Sequence, residues 1–246
     1  MIKNYKQLNE KTTSCAACLD KKFEATDGKR AIILCGGTGC LSSNSDEILK
    51  RFRELISSEG LEEKISVNQA GCFGFCSQGP FVKIYPEDTL YRLVKVADVD
   101  EIFEKDIKNG EVVERLLYID PTSKEKVAKQ DDITFYKKQV RIALYGCGKI
   151  NPEDINEAIG VGAFQGLEKA LKMERADVIK EVLDSGLRGR GGGGFPTGRK
   201  WQFAFNQPDG EKYVVCNGDE GDPGAFMDRS ILEGNPLSVI EGMMIA

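Results

Sequence analysis

The sequence predicts an α/β fold in two parts, and three observations carry that expectation. Short apolar runs that read as buried strands alternate with amphipathic helical segments over residues 30–109, in the order β-α-β-β-β-α. A charged and less regular stretch follows over 111–140. Beyond it, helical patterns lead through a glycine-rich loop to a strand-like KYVVC, the opening of a second α/β unit. The expected organisation is an N-terminal extension over 1–27, a small α/β domain over 28–110, a surface linker over 111–140, and an incomplete second domain over 141–246.

Taken in order, residues 1–28 are polar and show no clear element. RAIILC at 30–35 reads as a buried strand running straight into CGGTGC. The next segment, SSNSDEILKRFRELISSEG, predicts a helix. Ser43 with Asp46 forms a capping-box-like start, Ile48, Phe52 and Leu55 share a face, and Gly60 ends it. KISVNQA at 64–70 predicts a strand that ends at GCFGFC, and FVKIY with LYRLVKV predicts a hairpin across PEDT. DVDEIFEKDIKN at 98–109 predicts a closing helix that stops at Gly110. In the second part, 152–160, 163–173 and 175–185 read as helices, and a short helix follows the glycine loop. A final helix begins near 230 and still runs in apolar pattern at Ala246, which reads as a cut domain.

Composition removes whole classes of chemistry. The 246 residues include eight Cys and no His, which excludes Ser-His-Asp triads, Cys-His pairs and His-ligated zinc or iron. A formal charge of −5 argues against a dedicated nucleic-acid binder. No apolar run reaches the length of a membrane helix, and the first residues lack a secretory pattern. A reducing cytoplasmic compartment is expected, where Cys groups more often hold metal or do redox chemistry than form structural disulfides.

Cys35 and Cys40 are spaced C-x4-C, and Cys72 and Cys76 C-x3-C. Four thiolates on two loops at one sheet edge can hold one metal centre, and thiolate is the soft ligand suited to iron–sulfur clusters and to zinc. Gly36, Gly37, Gly39, Gly71 and Gly74 let the backbone curl around such a centre and leave amides to point at sulfur. A [2Fe–2S] cluster suits these wide loops, zinc sites more often use C-x2-C pairs, and inert buried or disulfide-bonded cysteines are the third reading. The CGGTGC and GCFGFC loops on this β-α-β-β-β-α order resemble the thioredoxin-like [2Fe–2S] ferredoxins over roughly 28–110. That resemblance implies one all-Cys cluster moving single electrons.

Gly189, Gly191 and Gly194 formally make G-x-G-x-x-G, but a helix precedes them rather than the strand of a Rossmann motif. Glycines at 189 and 191–194 let a flat ring or phosphate approach the backbone. Arg188, Arg190, Arg199 and Lys200 add positive charge, and Thr197 is placed to cap the following helix. A flexible solvated loop is the alternative. Asn217, Asp219, Glu220 and Asp222 follow the strand-like KYVVC, where carboxylates and an amide can accept hydrogen bonds from ribityl or ribose hydroxyls; a solvated acidic turn is the alternative there.

Together, GLRGRGGGGFPTGRKW and YVVCNGDEGDPGAFMDRSILEGNP resemble the FMN- and NADH-binding flavoprotein subunit of respiratory complex I. They resemble still more its relatives in multimeric, electron-bifurcating [FeFe]-hydrogenases and NAD(P)-linked formate dehydrogenases. An amino-terminal [2Fe–2S] domain fused to the flavoprotein is the arrangement of the hydrogenase β subunit. The resemblance implies a Rossmann-like second domain in which Gly189, Arg190, Gly191, Gly192 and Lys200 contact FMN from the glycine loop, and Asn217, Asp219 and Glu220 hold it from the acidic loop. Phe195, Lys200 and Phe203 would line the NAD(H) site, with the aromatics stacking on adenine. Asp222 stands where complex I has Glu, one methylene longer, so its contact to NADH is the weakest of these transfers. The resemblance also implies a relay from NADH through FMN to iron–sulfur centres, further [4Fe–4S] clusters in a C-terminal continuation, and partners that include a catalytic [FeFe] subunit, a small [2Fe–2S] subunit and ferredoxin. Of the remaining residues, Cys15 and Cys18 read as an inert pair, Cys147 and Cys216 as small buried fillers, Trp201 as core, and Tyr213, Val214 and Val215 as strand core.

Overall fold

The structure, a computed structural model, describes residues 2–208 and 210–246. The chain divides into two compact units, residues 1–161 with 219–236, and residues 162–218 with 237–246.

The first unit is built on a four-stranded sheet of β1 (Arg30–Cys35), β2 (Ile65–Ala70), β3 (Val82–Tyr85) and β4 (Thr89–Tyr91), in the order β2-β1-β3-β4. β1 pairs in parallel with β2 and antiparallel with β3. The central strand is apolar on both faces because both are covered. Ile32 and Leu34 face one cluster with Ile48, Phe52 and Phe103, whereas Ile33 and Cys35 face a second with Phe73, Phe81 and Leu90. The helix Ser45–Ser58 makes the crossover from β1 to β2, presenting Ile48, Leu49, Phe52 and Ile56 to the core. Its first turn carries Asp46 and Glu47, which suit the positive end of the helix dipole. The expected Ser43–Asp46 cap is not used: Asn44 is the cap residue, in left-handed conformation and without a side-chain hydrogen bond. The closing helix spans Val99–Ile102 and widens to π geometry over Phe103–Lys108, then stops before Gly110 at φ 72°.

Two expectations for this unit are corrected. Residues 5–24 form a 20-residue helix, α1 (Tyr5–Glu24), with Asn4 capping it by accepting the Gln7 amide at 3.0 Å. Only Leu8, Cys15 and Leu19 are buried along it, so its apolar stripe is too sparse to read in sequence. Tertiary packing supplies the rest. Gly160 closes the helix Ile155–Gly160 against α1; a Cβ there would lie 2.8 Å from Leu19 and 3.0 Å from the Cys15 backbone. Lys22 and Glu157 form a largely buried ion pair at 2.7 Å beside this contact.

The expected linker over 111–140 instead packs on the sheet. Leu116, Leu117, Tyr118, Ile133 and Tyr136 are buried in the two clusters. Tyr91 bridges to Leu117 and Thr89 to Lys129, and Gln130 accepts a hydrogen bond from buried Lys83 at 3.0 Å. Charge on the outward positions hid these inward residues.

The second unit contains helices at Gln165–Ala170, Arg175–Asp184 and Thr197–Phe205. Gly198 lets the last approach the middle one; a Cβ there would sit 2.6 Å from the Leu183 amide nitrogen. The strand expected at 212–216 is irregular backbone, and Tyr213, Val214 and Val215 are exposed rather than core. Among the described residues no strand pairs with this segment, and extended backbone needs a ladder partner to persist as a strand. Cys216 is accordingly exposed rather than buried, and Trp201 is only half-buried. Cys147 is buried, as expected.

Candidate metal centre and flavin half-sites

Parallel pairing of β1 and β2 makes both strands end at one edge, with Cys35 opposite Ala70. The two cysteine loops therefore start side by side, although the motifs lie far apart in sequence. Cys35 is the last residue of β1, Cys40 lies in a one-turn helix at Thr38–Leu41, Cys72 follows β2, and Cys76 opens a 3-10 turn. Cys35, Cys40 and Cys72 are buried and Cys76 is exposed.

The four thiols form a connected group. The Cys72 and Cys76 sulfurs are 3.9 Å apart, and Cys35 lies close enough to Cys40 and Cys72 for their thiols to shift its own titration. Two thiolates held tetrahedrally at about 2.3 Å from one metal lie about 3.8 Å apart. The sulfurs are thus paired within a loop and linked across loops. Among the described residues no group of three or more Cys, Asp or Glu gathers closely enough about one point to hold a single ion. The hydrogen bond with Cys40, followed by burial, pushes the Cys35 thiol up to about 12, while Cys40 is lowered because Cys35 donates to it.

Glycine backbone fills the space around the sulfurs. A Cβ on Gly79 would lie 2.5 Å from the Cys40 sulfur, and one on Gly37 would lie 3.3 Å from the Cys72 sulfur. Gly74, at φ 81°, donates its amide to Cys72 at 3.3 Å. This is a cradle that side chains would close.

The spacing of the cysteines does not show what surrounds them. Tyr136 donates to the Phe73 carbonyl at 3.1 Å, and Arg141 reaches the same carbonyl at 3.4 Å. Burial and the neighbouring Cys72 push the Cys76 thiol up, and the charge of Arg229 works against them. Tyr136, Arg141 and Arg229 come from segments about 60 to 150 positions away, and nothing local in the sequence marks them.

The residues assigned to flavin fall on both units. In the second unit, the glycine loop is closed like a hairpin: Gly189 donates to the Phe195 carbonyl at 2.9 Å, and Arg188 bridges to Pro196. Gly192 and Gly194 take φ 99° and 58°, which explains glycine at those positions. A Cβ at any of 191–194 would meet nothing within 4 Å, so the loop face is open. Arg190, Arg199 and Lys200 are exposed around it. Phe195 and Phe203 pair at 6.3 Å between ring centroids, and both are exposed. Thr197 is the first residue of its helix rather than its cap; Pro196 precedes the helix without a side-chain cap bond. Asn217 also belongs to this unit and is exposed.

Asp219, Glu220 and Asp222 belong to the first unit. Glu220 caps the helix Met227–Gly234, accepting the Asp228 amide at 2.9 Å and the Arg229 amide at 3.1 Å. The Asp228 amide, followed by the Arg229 amide, holds the Glu220 carboxyl below the usual carboxylate range. Among the described residues no helix is long and apolar enough to cross a membrane.

Comparison with known proteins gives these sites a context. Residues 21–106 match the thioredoxin-like [2Fe-2S] ferredoxin family, and residues 182–246 match the Nuo51 FMN-binding domain. The chain is 54% identical over 112 residues to the NADP-reducing hydrogenase subunit HndC of Solidesulfovibrio fructosivorans, covering 46% of this chain and 23% of that protein. It is 52% identical over 77 residues to the 2Fe-2S ferredoxin of Clostridium pasteurianum, covering 31% of this chain and 76% of that protein. A solved thioredoxin-like [2Fe-2S] ferredoxin from Aquifex aeolicus aligns at 35% identity and a TM-score of 0.34, over 36% of this chain and 94% of that one. The match thus spans less than a quarter of the hydrogenase subunit's length and most of the small ferredoxin's. Through residues 21–106 the chain belongs to the thioredoxin-like [2Fe-2S] ferredoxin family, and from residue 182 it carries sequence of the Nuo51 FMN-binding domain.

Proposed function

We propose that the first unit is a one-electron relay in which Cys35, Cys40, Cys72 and Cys76 hold a [2Fe–2S] cluster, within an NAD(P)-linked flavoprotein subunit of a multisubunit hydrogenase. The connected group of four thiols in a glycine-lined cradle carries this reading. When bound, the cluster supplies one-electron storage and FMN supplies the exchange between two-electron and one-electron carriers. The protein's part is to bind and orient. The two strand ends fix the four sulfurs, the Gly74 amide donates to Cys72, and Phe81 with Phe73 keeps water from the inner face of the cradle. In the second unit, Gly189, Gly191 and Gly192 leave a flat ring access to backbone. Arg190 and Lys200 offer charge to a phosphate, and Phe195 and Phe203 offer rings for adenine.

Asn217 in the second unit, and Asp219 and Asp222 in the first, offer acceptors suited to ribityl or ribose hydroxyls. Glu220 would act there from its position as a helix cap. Other subunits, among them a catalytic hydrogenase subunit, a small [2Fe–2S] subunit and ferredoxin, would exchange electrons with this one in the cytoplasm. A subunit of a formate dehydrogenase or a complex I-like enzyme, or a stand-alone carrier, would use the same first unit.

Anaerobically purified protein is expected to contain two iron and two acid-labile sulfide per chain and to give a reduced-state EPR signal. Stoichiometric zinc without sulfide refutes the cluster. Flavin content then separates flavoprotein from simple carrier, and Lys200→Ala is expected to lower it.

A further inference from the structure

We propose that the helix Met227–Gly234, which follows the acidic loop, is a clamp across both cysteine loops and that Ser230 within it is a positioning residue that sets the cluster's reduction potential. The inference rests on the reading of the four cysteines as cluster ligands. The clamp touches the first loop through Glu233, whose carboxylate accepts the Thr38 amide at 3.1 Å and the Thr38 hydroxyl. It touches the second through backbone: a Cβ on Gly71 would lie 2.3 Å from the Gly234 Cα, so this contact requires glycine at position 71. Gly234 also lies against Cys147, whose thiol donates to the Ser230 carbonyl at 3.6 Å. Arg229 ties Glu233 in place at 2.9 Å.

Ser230 sits on the face that meets the cysteines. Its hydroxyl carries one proton and faces two acceptors, the Phe226 carbonyl at 2.6 Å and the Cys72 sulfur at 4.0 Å. A neutral sulfur is the weaker acceptor, so the proton belongs to the carbonyl. A thiolate on an iron centre is an anion, and charge strengthens the hydrogen bond to it. One-electron reduction adds a further negative charge to the ligated centre and takes no proton from the clamp. The hydroxyl answers by turning its proton towards Cys72, which favours the reduced state and raises the potential. The amide of Gly74 donates to the same sulfur at 3.3 Å.

The test is a redox titration of the whole chain, loaded with iron and sulfide and followed by the EPR signal of the reduced cluster. Ser230→Ala is expected to lower the reduced-to-oxidised ratio at fixed potential about threefold, which is about 28 mV for one electron at 59 mV per tenfold change. Ser230→Thr, which keeps the hydroxyl, is expected to titrate with the wild type. Glu233→Gln weakens the clamp without touching the sulfurs, and is expected to speed air bleaching of the cluster about threefold. Overlapping titrations of Ser230→Ala and wild type overturn the role of Ser230. Wild-type bleaching of Glu233→Gln overturns the clamp. A wild-type chain that takes up no iron and sulfide refutes the cluster reading itself, a different outcome from either.

Discussion

Asp106 is the residue whose removal should test the fold of the ferredoxin unit most sharply. It is 2% exposed, at the end of the closing helix, and its carboxylate accepts Arg30 Nη2 at 2.8 Å and the Tyr91 hydroxyl. Arg30 also donates to the Asp106 and Ile107 carbonyls at 2.8 and 3.0 Å, and the Tyr91 oxygen accepts the Val113 amide at 3.1 Å. One carboxylate thus joins β1, β4, the closing helix and the strap that begins at 111. Breaking a buried ion pair costs about 3–5 kcal/mol when the partner is orphaned. Arg30 is not orphaned, because Glu87 lies at 2.9 Å and both backbone carbonyls remain, so the lower half of that range applies. Asp106→Ala also leaves the Tyr91 hydroxyl without its acceptor, which costs about 1 kcal/mol more. The expected loss is about 4–5 kcal/mol in urea unfolding followed by far-UV circular dichroism. Tyr91→Phe alone should cost about 1–2 kcal/mol, and the double variant less than the sum by about 1 kcal/mol. A loss under about 1 kcal/mol for Asp106→Ala, or strict additivity with Tyr91→Phe, would refute the network as a unit.

Three further outcomes follow from the same contacts. Gly79→Ala, whose Cβ would lie 2.5 Å from the buried Cys40 sulfur, should leave purified protein largely free of iron and sulfide. Gly39→Ala, at 3.8 Å from Cys76, should retain both; equal loading of the two variants refutes the cradle. Leu19→Ala removes a 5% exposed side chain from the α1 contact and should cost about 2–4 kcal/mol, with faster hydrogen exchange along residues 8–22; unchanged exchange there sinks the assignment of α1 to the first unit. For acid, Glu233 and Glu220 share a sign. Burial opposes ionisation of Glu233, but the Thr38 hydroxyl and amide outweigh it, and the Asp228 amide dominates at Glu220, so both carboxyls titrate below their ordinary value in the fold. A depressed folded value means the stability is complete above the unfolded value of about 4.3 and is lost as pH falls through the folded one. The Thr38, Asp228 and Arg229 amides should therefore lose exchange protection below about pH 4 and keep it above; loss already at pH 6 contradicts the carboxylate contacts.

The legible parts of this protein are those in which chemistry and local periodicity coincide. Cys35, Cys40, Cys72 and Cys76 could be read because each pair lies where a strand-like run ends, and the β-α-β order forces the two strands parallel. The helix Ser45–Ser58 was visible for the same reason, through a full apolar face. By contrast, α1 buries three residues in twenty, and its stability lies in what it packs against. The strap over 111–140 buries Leu116, Tyr118, Ile133 and Tyr136 between charged neighbours with no fixed period, so no periodicity could report it. At 212–216 the β-branched run pointed the other way, since strand propensity does not supply a hydrogen-bonding partner.

The acidic loop shows why residue type alone underdetermines role. Asp219, Glu220 and Asp222 invite a reading as acceptors for sugar hydroxyls, and the residues are chemically suited to it. The structure gives Glu220 a second occupation: both its oxygens take amides at the start of the helix whose far end rests on Gly71. A carboxylate at a helix N-terminus and a carboxylate facing a ligand look identical in sequence, because both need only a charge that follows a turn. The two roles differ in what removal disturbs. Glu220→Gln keeps acceptor oxygen for one amide and a hydrogen-bonding group for a sugar, but gives up the charge that favours the helix end. If Glu220 acts chiefly as a cap, this change should loosen the clamp and alter the cluster signal before it alters flavin content. If it acts chiefly on flavin, the order reverses. Measuring both in one preparation therefore ranks the two roles, and an unchanged cluster signal beside lost flavin refutes the cap as the dominant one.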